Sequence, residues 1–143
     1  MPISVTTRSG ARMVLAAAGW LLLASSAPAH HSYAMFDGSR TLTINGTVAK
    51  LEWVNPHVYL WVYVANAKAQ GGHDLYAFEN GSPNVLARAG WSKSTFKAGE
   101  TIAVEFWPLK DRRTGGHFRK ATHADGRVSL GMGGPNADKV ERP

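Results

Sequence analysis

The sequence predicts a small all-β protein, a five-stranded barrel carrying one short helix, and three observations support that expectation. Short segments of alternating apolar and polar residues recur between turns rich in glycine, asparagine and aspartate. Only one segment carries the punctuation of a helix. That segment falls after the third strand and before the fourth, where an OB-fold places its helix. A β-sandwich would hold as many strands, but it does not account for a single capped helix.

The elements follow in order. Thr41 to Val48 alternates, with Leu42, Ile44 and Val48 on one face, and Gly46 interrupts it as a bulge or sharp bend would. The strand runs on through Leu51 and Trp53 to the turn at Asn55-Pro56. His57 to Val64 is the second strand and the cleanest alternation: Val58, Leu60, Val62 and Val64 face one way, His57, Tyr59, Trp61 and Tyr63 the other. Asn66 to Gly72 is a hairpin loop, and Asp74 to Glu79 the third strand. Ser82 then suits an N-cap and Pro83 the first helical position, ahead of the apolar stripe Val85, Leu86 and Ala89. Gly90 can take the left-handed conformation that ends the helix, letting Trp91 fold back towards Leu86. Lys97 to Glu100 is a turn. Thr101 to Trp107 is a fourth strand with Ile102, Val104 and Phe106 inward, and Pro108 to Gly116 a basic loop. His117 to Ala124, the turn Asp125-Gly126 and Val128 to Leu130 complete the barrel domain, 41–130. Residues 131–143 read as a disordered tail.

The first forty residues divide differently. Arg8 and Arg12, the apolar run Met13 to Leu23 and the small residues Ala24 to Ala29 have the layout of a secretory signal peptide spanning 1–29. The run is shorter than the roughly 20 apolar residues a bilayer span needs. Cleavage after Ala29 leaves His30 as the first residue. Residues 30–40 then form an arm in which Tyr33, Met35 and Phe36 can dock. The expected location is periplasmic or secreted, with no stable membrane anchoring after cleavage.

Composition narrows the function. Formal net charge is +6, of which Arg8 and Arg12 contribute two, a mild basic excess that does not demand nucleic acid. The chain has no cysteine, which removes disulfides, thiolate metal sites and a Cys nucleophile. Asp37, Glu52, Glu79 and Glu105 are scattered, and no nucleophile elbow, phosphate loop or metalloprotease helix is present. The chain is therefore expected not to be an enzyme.

The stretches His30 to Asp37, Trp53-Val54-Asn55-Pro56-His57, Glu79 to Asn84 and Gly90-Trp91-Ser92 resemble a family of small exported bacterial proteins of unknown function. The resemblance covers nearly all of the chain after Ala29. It implies export and a small β-rich domain, and it brings no activity.

Histidine chemistry supplies the leading functional expectation. A terminal amine and the imidazole of the same residue can close a chelate ring on Cu(II), which prefers tetragonal nitrogen ligands. His30 would offer that pair, His57 a second imidazole, and His117 or His31 a third. The OB topology expects His57 and His117 at the barrel rim, beside the loops before strand two and strand five. His73 and His123 read as surface positions beside turns. The expected function is thus a copper carrier or buffer. The alternative is an OB-type adaptor gripping a small ligand or a periplasmic partner protein without metal. It would use the row Tyr59, Trp61 and Tyr63, with Trp53 and Asn55 beside the turn.

Overall fold

A computed structural model describes residues 33–132. The expected signal segment, His30, His31 and the tail from Gly133 lie outside the described residues. The elements are β1 (Leu42–Glu52), β2 (Tyr59–Ala65), β3 (His73–Glu79), α1 (Pro83–Arg88), β4 (Thr101–Pro108), β5 (Gly115–His123) and β6 (Val128–Leu130). Their hydrogen-bonded order is β3-β2-β1-β4-β5-β6. A second, parallel pairing of β3 with β5 closes the first five into a barrel and leaves β6 as an addition on β5. The expected all-β, OB-like barrel with one short helix is the fold observed.

Strand β1 serves both halves of the barrel. Leu42 to Thr47 pair with β4 and Thr47 to Glu52 with β2. Gly46 sits at the changeover, where a Cβ would lie 2.5 Å from the Tyr63 carbonyl oxygen and from Val62 Cγ1. Its role is therefore close approach of two backbones. The bulge expected there lies further along, between Val48 and Lys50. Closure depends on a second pair of glycines. A Cβ on Gly115 would collide with the Ala77 carbonyl, and one on Gly116 with the Trp107 carbonyl.

Inside the barrel, Val48, Leu60, Val62, Phe78, Val104 and Phe118 are essentially inaccessible to solvent. Each such side chain stabilises the fold by roughly 1.5–3 kcal/mol relative to exposure. Helix α1 contributes Leu86 to the same core. Its caps match the sequence: Ser82 Oγ accepts from Val85 N–H at 3.4 Å, and Gly90 has φ 87°. Trp91 N–H then donates to the Leu86 carbonyl at 3.0 Å. The Trp91 indole N–H donates to the Leu130 carbonyl at 3.1 Å, tying the helix end to β6.

Several boundaries differ from expectation. Strand β2 begins at Tyr59, because His57 and Val58 follow the cis Asn55–Pro56 turn and Val58 bonds outside the ladder, to Asn80 and Gly81. Strand β5 begins at Gly115, two residues before His117, once Gly115 and Gly116 engage β3. Order also runs into the expected tail. Gly131 N–H donates to the Arg119 carbonyl at 2.7 Å, and Met132 N–H to Asn80 Oδ1 at 2.8 Å. Among the described residues, no helix is long and apolar enough to cross a membrane.

Candidate functional site

The closure of β3 onto β5 aligns four side chains from four strands. Tyr59 pairs with Glu79, Glu79 with His117, and His117 with Trp107. Their chain neighbours Leu60, Phe78, Phe118 and Phe106 fill the core. The two-residue period of a strand therefore sends this row to the outer wall of the barrel.

An outward histidine would ordinarily be wet, yet His117 is only 2% exposed. The arm covers it. Tyr33, Phe36 and Trp107 surround its imidazole with ring centroids at 5.1, 5.4 and 5.6 Å. Phe36 bridges Leu109, and Asp37 N–H donates to the Pro108 carbonyl at 2.8 Å. Lys110 holds the arm twice, through its N–H to the Met35 carbonyl at 2.9 Å and its Nζ to the Ala34 carbonyl at 2.7 Å. The basic loop after β4 thus serves as the seat of the arm.

Burial pushes the His117 pKa down to about 4, and the nearby Arg119 and His57 act in the same direction. The ring is neutral at physiological pH. Its Nδ1 lies 2.9 Å from the Phe118 carbonyl oxygen. A carbonyl only accepts, so Nδ1 carries the proton and Nε2 keeps its lone pair.

His57 comes to the same place from the segment before β2. Its Nδ1 is 2.8 Å from Glu79 Oε1, and about a third of its side chain is exposed. The Tyr59 hydroxyl donates to the other oxygen, Oε2, at 3.1 Å. Both Glu79 oxygens therefore accept, which places a proton on His57 Nδ1; in the neutral form of the ring Nε2 then keeps its lone pair. Burial, with the Glu79 carboxylate beside it, pushes the Tyr59 hydroxyl up to about 12. Tyr59 stays a donor throughout the physiological range.

The structure thus brings His57 into electrostatic reach of His117, which lies on the wall beneath the arm. The expected rim position is corrected: with β5 starting at Gly115, His117 falls inside the strand at an outward position. Glu79, set aside in the sequence as an isolated carboxylate, is the residue that was missed. The signal was present, since a hairpin centred on Ala69 opposes Tyr59 to Glu79. His30 and His31 lie outside the described residues. Among the described residues, no three His, Cys, Asp or Glu side chains are arranged to hold a metal ion. His57 and His117 can supply two imidazole donors, and further ligands would have to come from elsewhere.

The expected aromatic ligand row is divided. Tyr59 is tied to Glu79, and the Trp61 indole N–H donates to Glu52 Oε2 at 2.7 Å with Lys50 5.2 Å above its ring. Trp53 packs against the core, and Asn55 is exposed at the turn. Tyr63 is the member left open at 43% exposure, set edge-on to His73 with ring centroids 4.6 Å apart. His73 is exposed as expected.

His123 is the opposite of the surface residue expected. It faces inward beside Ile102, stacked on Phe96, with Nδ1 2.5 Å from Glu100 Oε1 and Nε2 2.8 Å from Ser129 Oγ. Nucleophile, imidazole and carboxylate stand in catalytic order. The His123 side chain is nevertheless fully inaccessible, and Ser129 faces inward opposite Ala121. This is a buried polar network with its bonding satisfied, fixing β5, β6 and the turn before β4.

The fold defines the class: a small OB-like β-barrel with one short helix and one added strand, here with an N-terminal arm docked over His117. Within it, the chain belongs to the family of unknown function DUF6152, whose model matches residues 19–118. That span takes in His30, His31, His57, Glu79 and His117 and stops short of His123 and Ser129. No curated protein and no solved structure matches the chain.

Proposed function

We propose that this protein is an exported, non-enzymatic metal-binding protein, a Cu(II) carrier or buffer that works outside the cytoplasm. Signal cleavage after Ala29 would leave the amine and imidazole of His30 as a chelating pair. His57 and His117 would add imidazole nitrogens, with His31 as a further candidate ligand. One observation carries this reading: His57 lies within electrostatic reach of His117, on which Tyr33 is docked. In the sequence His30 precedes the docked Tyr33 by three residues. Two features of the donor set support it. Each imidazole has its Nδ1 committed to an acceptor, as metal-bound histidines characteristically do. His117 is also held in the neutral form that ligation requires.

The test is a Cu(II) titration followed by EPR on periplasmically processed protein, its first residue verified by intact mass. Stoichiometric nitrogen-ligated copper is expected, and it should be lost when one extra residue precedes His30. Binding indifferent to that residue would overturn the terminal-amine site.

A second reading, a metal-free adaptor for a ligand or partner protein, is favoured by the cross-strand pair Tyr63 and Leu75. These apolar neighbours are 43% and 42% exposed. Trp61→Ala should then abolish partner binding in a folded protein, while His30 substitutions should have no effect.

A further inference from the structure

Resting on the metal-site reading, we infer that Glu79 is its positioning residue. It holds His57 with the proton on Nδ1 and so presents Nε2 to the metal before any metal arrives. Glu79 sits at the junction of three elements. Its backbone pairs with Tyr59 on one side and His117 on the other. Its carboxylate accepts from His57 Nδ1–H through Oε1 at 2.8 Å and from the Tyr59 hydroxyl through Oε2 at 3.1 Å. The hydroxyl anchors the carboxylate, and the carboxylate orients the imidazole.

His57 needs such help. It lies in a turn segment before β2, partly open to solvent, where an unrestrained imidazole would rotate and exchange tautomers. An isolated neutral imidazole favours the proton on Nε2, which would block the nitrogen the site uses. His117 has the same arrangement by another route, with the Phe118 carbonyl as acceptor. The two rings thus reach the same protonation pattern, one through a side-chain carboxylate and one through the backbone. Of the two restraints, only the carboxylate can be removed by substitution.

The experiment uses processed full-length protein, metal-free and then titrated with Cu(II), as wild type, Glu79→Ala, Glu79→Gln and Tyr59→Phe. Imidazole 15N spectra of the metal-free proteins, well above the ordinary imidazole pKa, report the tautomer directly. Wild type and Glu79→Gln, whose amide oxygen still accepts, should hold His57 with its proton on Nδ1; Glu79→Ala should shift it towards Nε2. Cu(II) affinity should fall on the order of 10–100-fold in Glu79→Ala, with partial rescue in Glu79→Gln. Tyr59→Phe should keep the tautomer and weaken binding by less. His57 protonated on Nε2 in wild type would overturn the inference, as would Glu79→Ala binding copper as tightly as wild type. A copper EPR pattern that changes in Glu79→Gln would make Glu79 a ligand and overturn its role as a positioning group. Wild type that binds no copper would retire the metal reading and the positioning role together. Copper binding with an unaffected Glu79→Ala would retire the positioning role alone.

Discussion

His117 is the residue whose surroundings depart furthest from those of its position in the chain. It is an outward strand residue that three aromatic rings have made part of the interior. Its folded pKa of about 4 lies below the ordinary imidazole value of 6.5, so the unfolded chain takes up a proton that the folded protein refuses. The neutral ring's contribution is therefore complete above pH 6.5. It is lost progressively as pH falls towards 4, by up to about 3 kcal/mol at one unit per 1.36 kcal/mol. Urea unfolding of the metal-free protein across that range should show this loss. His117→Asn should flatten it; an unchanged slope would mean that His117 is not buried in solution. No sequence pattern announces such a residue. Its type and strand were legible, but its burial depends on an arm that precedes it by about eighty residues. His123 was misread for the related reason that it borders a turn: its inward register against Ile102 follows from the bulge between Glu105 and Phe106.

At the scale of elements, the strands were legible because binary alternation is a local property. Val58, Leu60 and Val62 are buried as their spacing demanded. The helix was legible because Ser82, Pro83 and Gly90 each act within one turn. Contacts between elements were less so. Gly46 reads as a bulge or sharp bend in sequence, since a bulge, a bend and a backbone crossing all call for glycine. Glu79 looked solitary because its partners come from β2 and the turn before it. The glycine pair that closes the barrel supplies the sharpest test of the elements' assembly. Gly116→Ala would drive a Cβ into the Trp107 carbonyl and to 2.7 Å from the Phe106 ring. Neither neighbour is the free end of a flexible chain, so a loss of about 2–4 kcal/mol is expected in denaturant unfolding. A loss below about 0.5 kcal/mol would show that β3 and β5 are not held this closely.

Across the described residues, the arm from Tyr33 onward is joined to the barrel by Phe36 at 5% exposure and by the two bonds from Lys110. Phe36→Ala should cost about 3–5 kcal/mol, the usual range for a buried phenylalanine. It should also open His117 to diethyl pyrocarbonate, followed as modification rate by mass spectrometry. Destabilisation without faster modification would show that Tyr33 and Trp107 shield the imidazole unaided. The parallel seam between β3 and β5 carries a kinetic consequence as well. It joins segments far apart in the chain, and long-range pairings form late because their loops must close first. Glu79 and His117 become neighbours only across that seam, whereas Tyr59 meets Glu79 in the local β2–β3 hairpin, so a newly made chain passes through partly folded states in which His117 is still apart from Glu79 and its partners. On the proposed metal-binding reading, capture at this wall would require the finished barrel, with folding first and loading second.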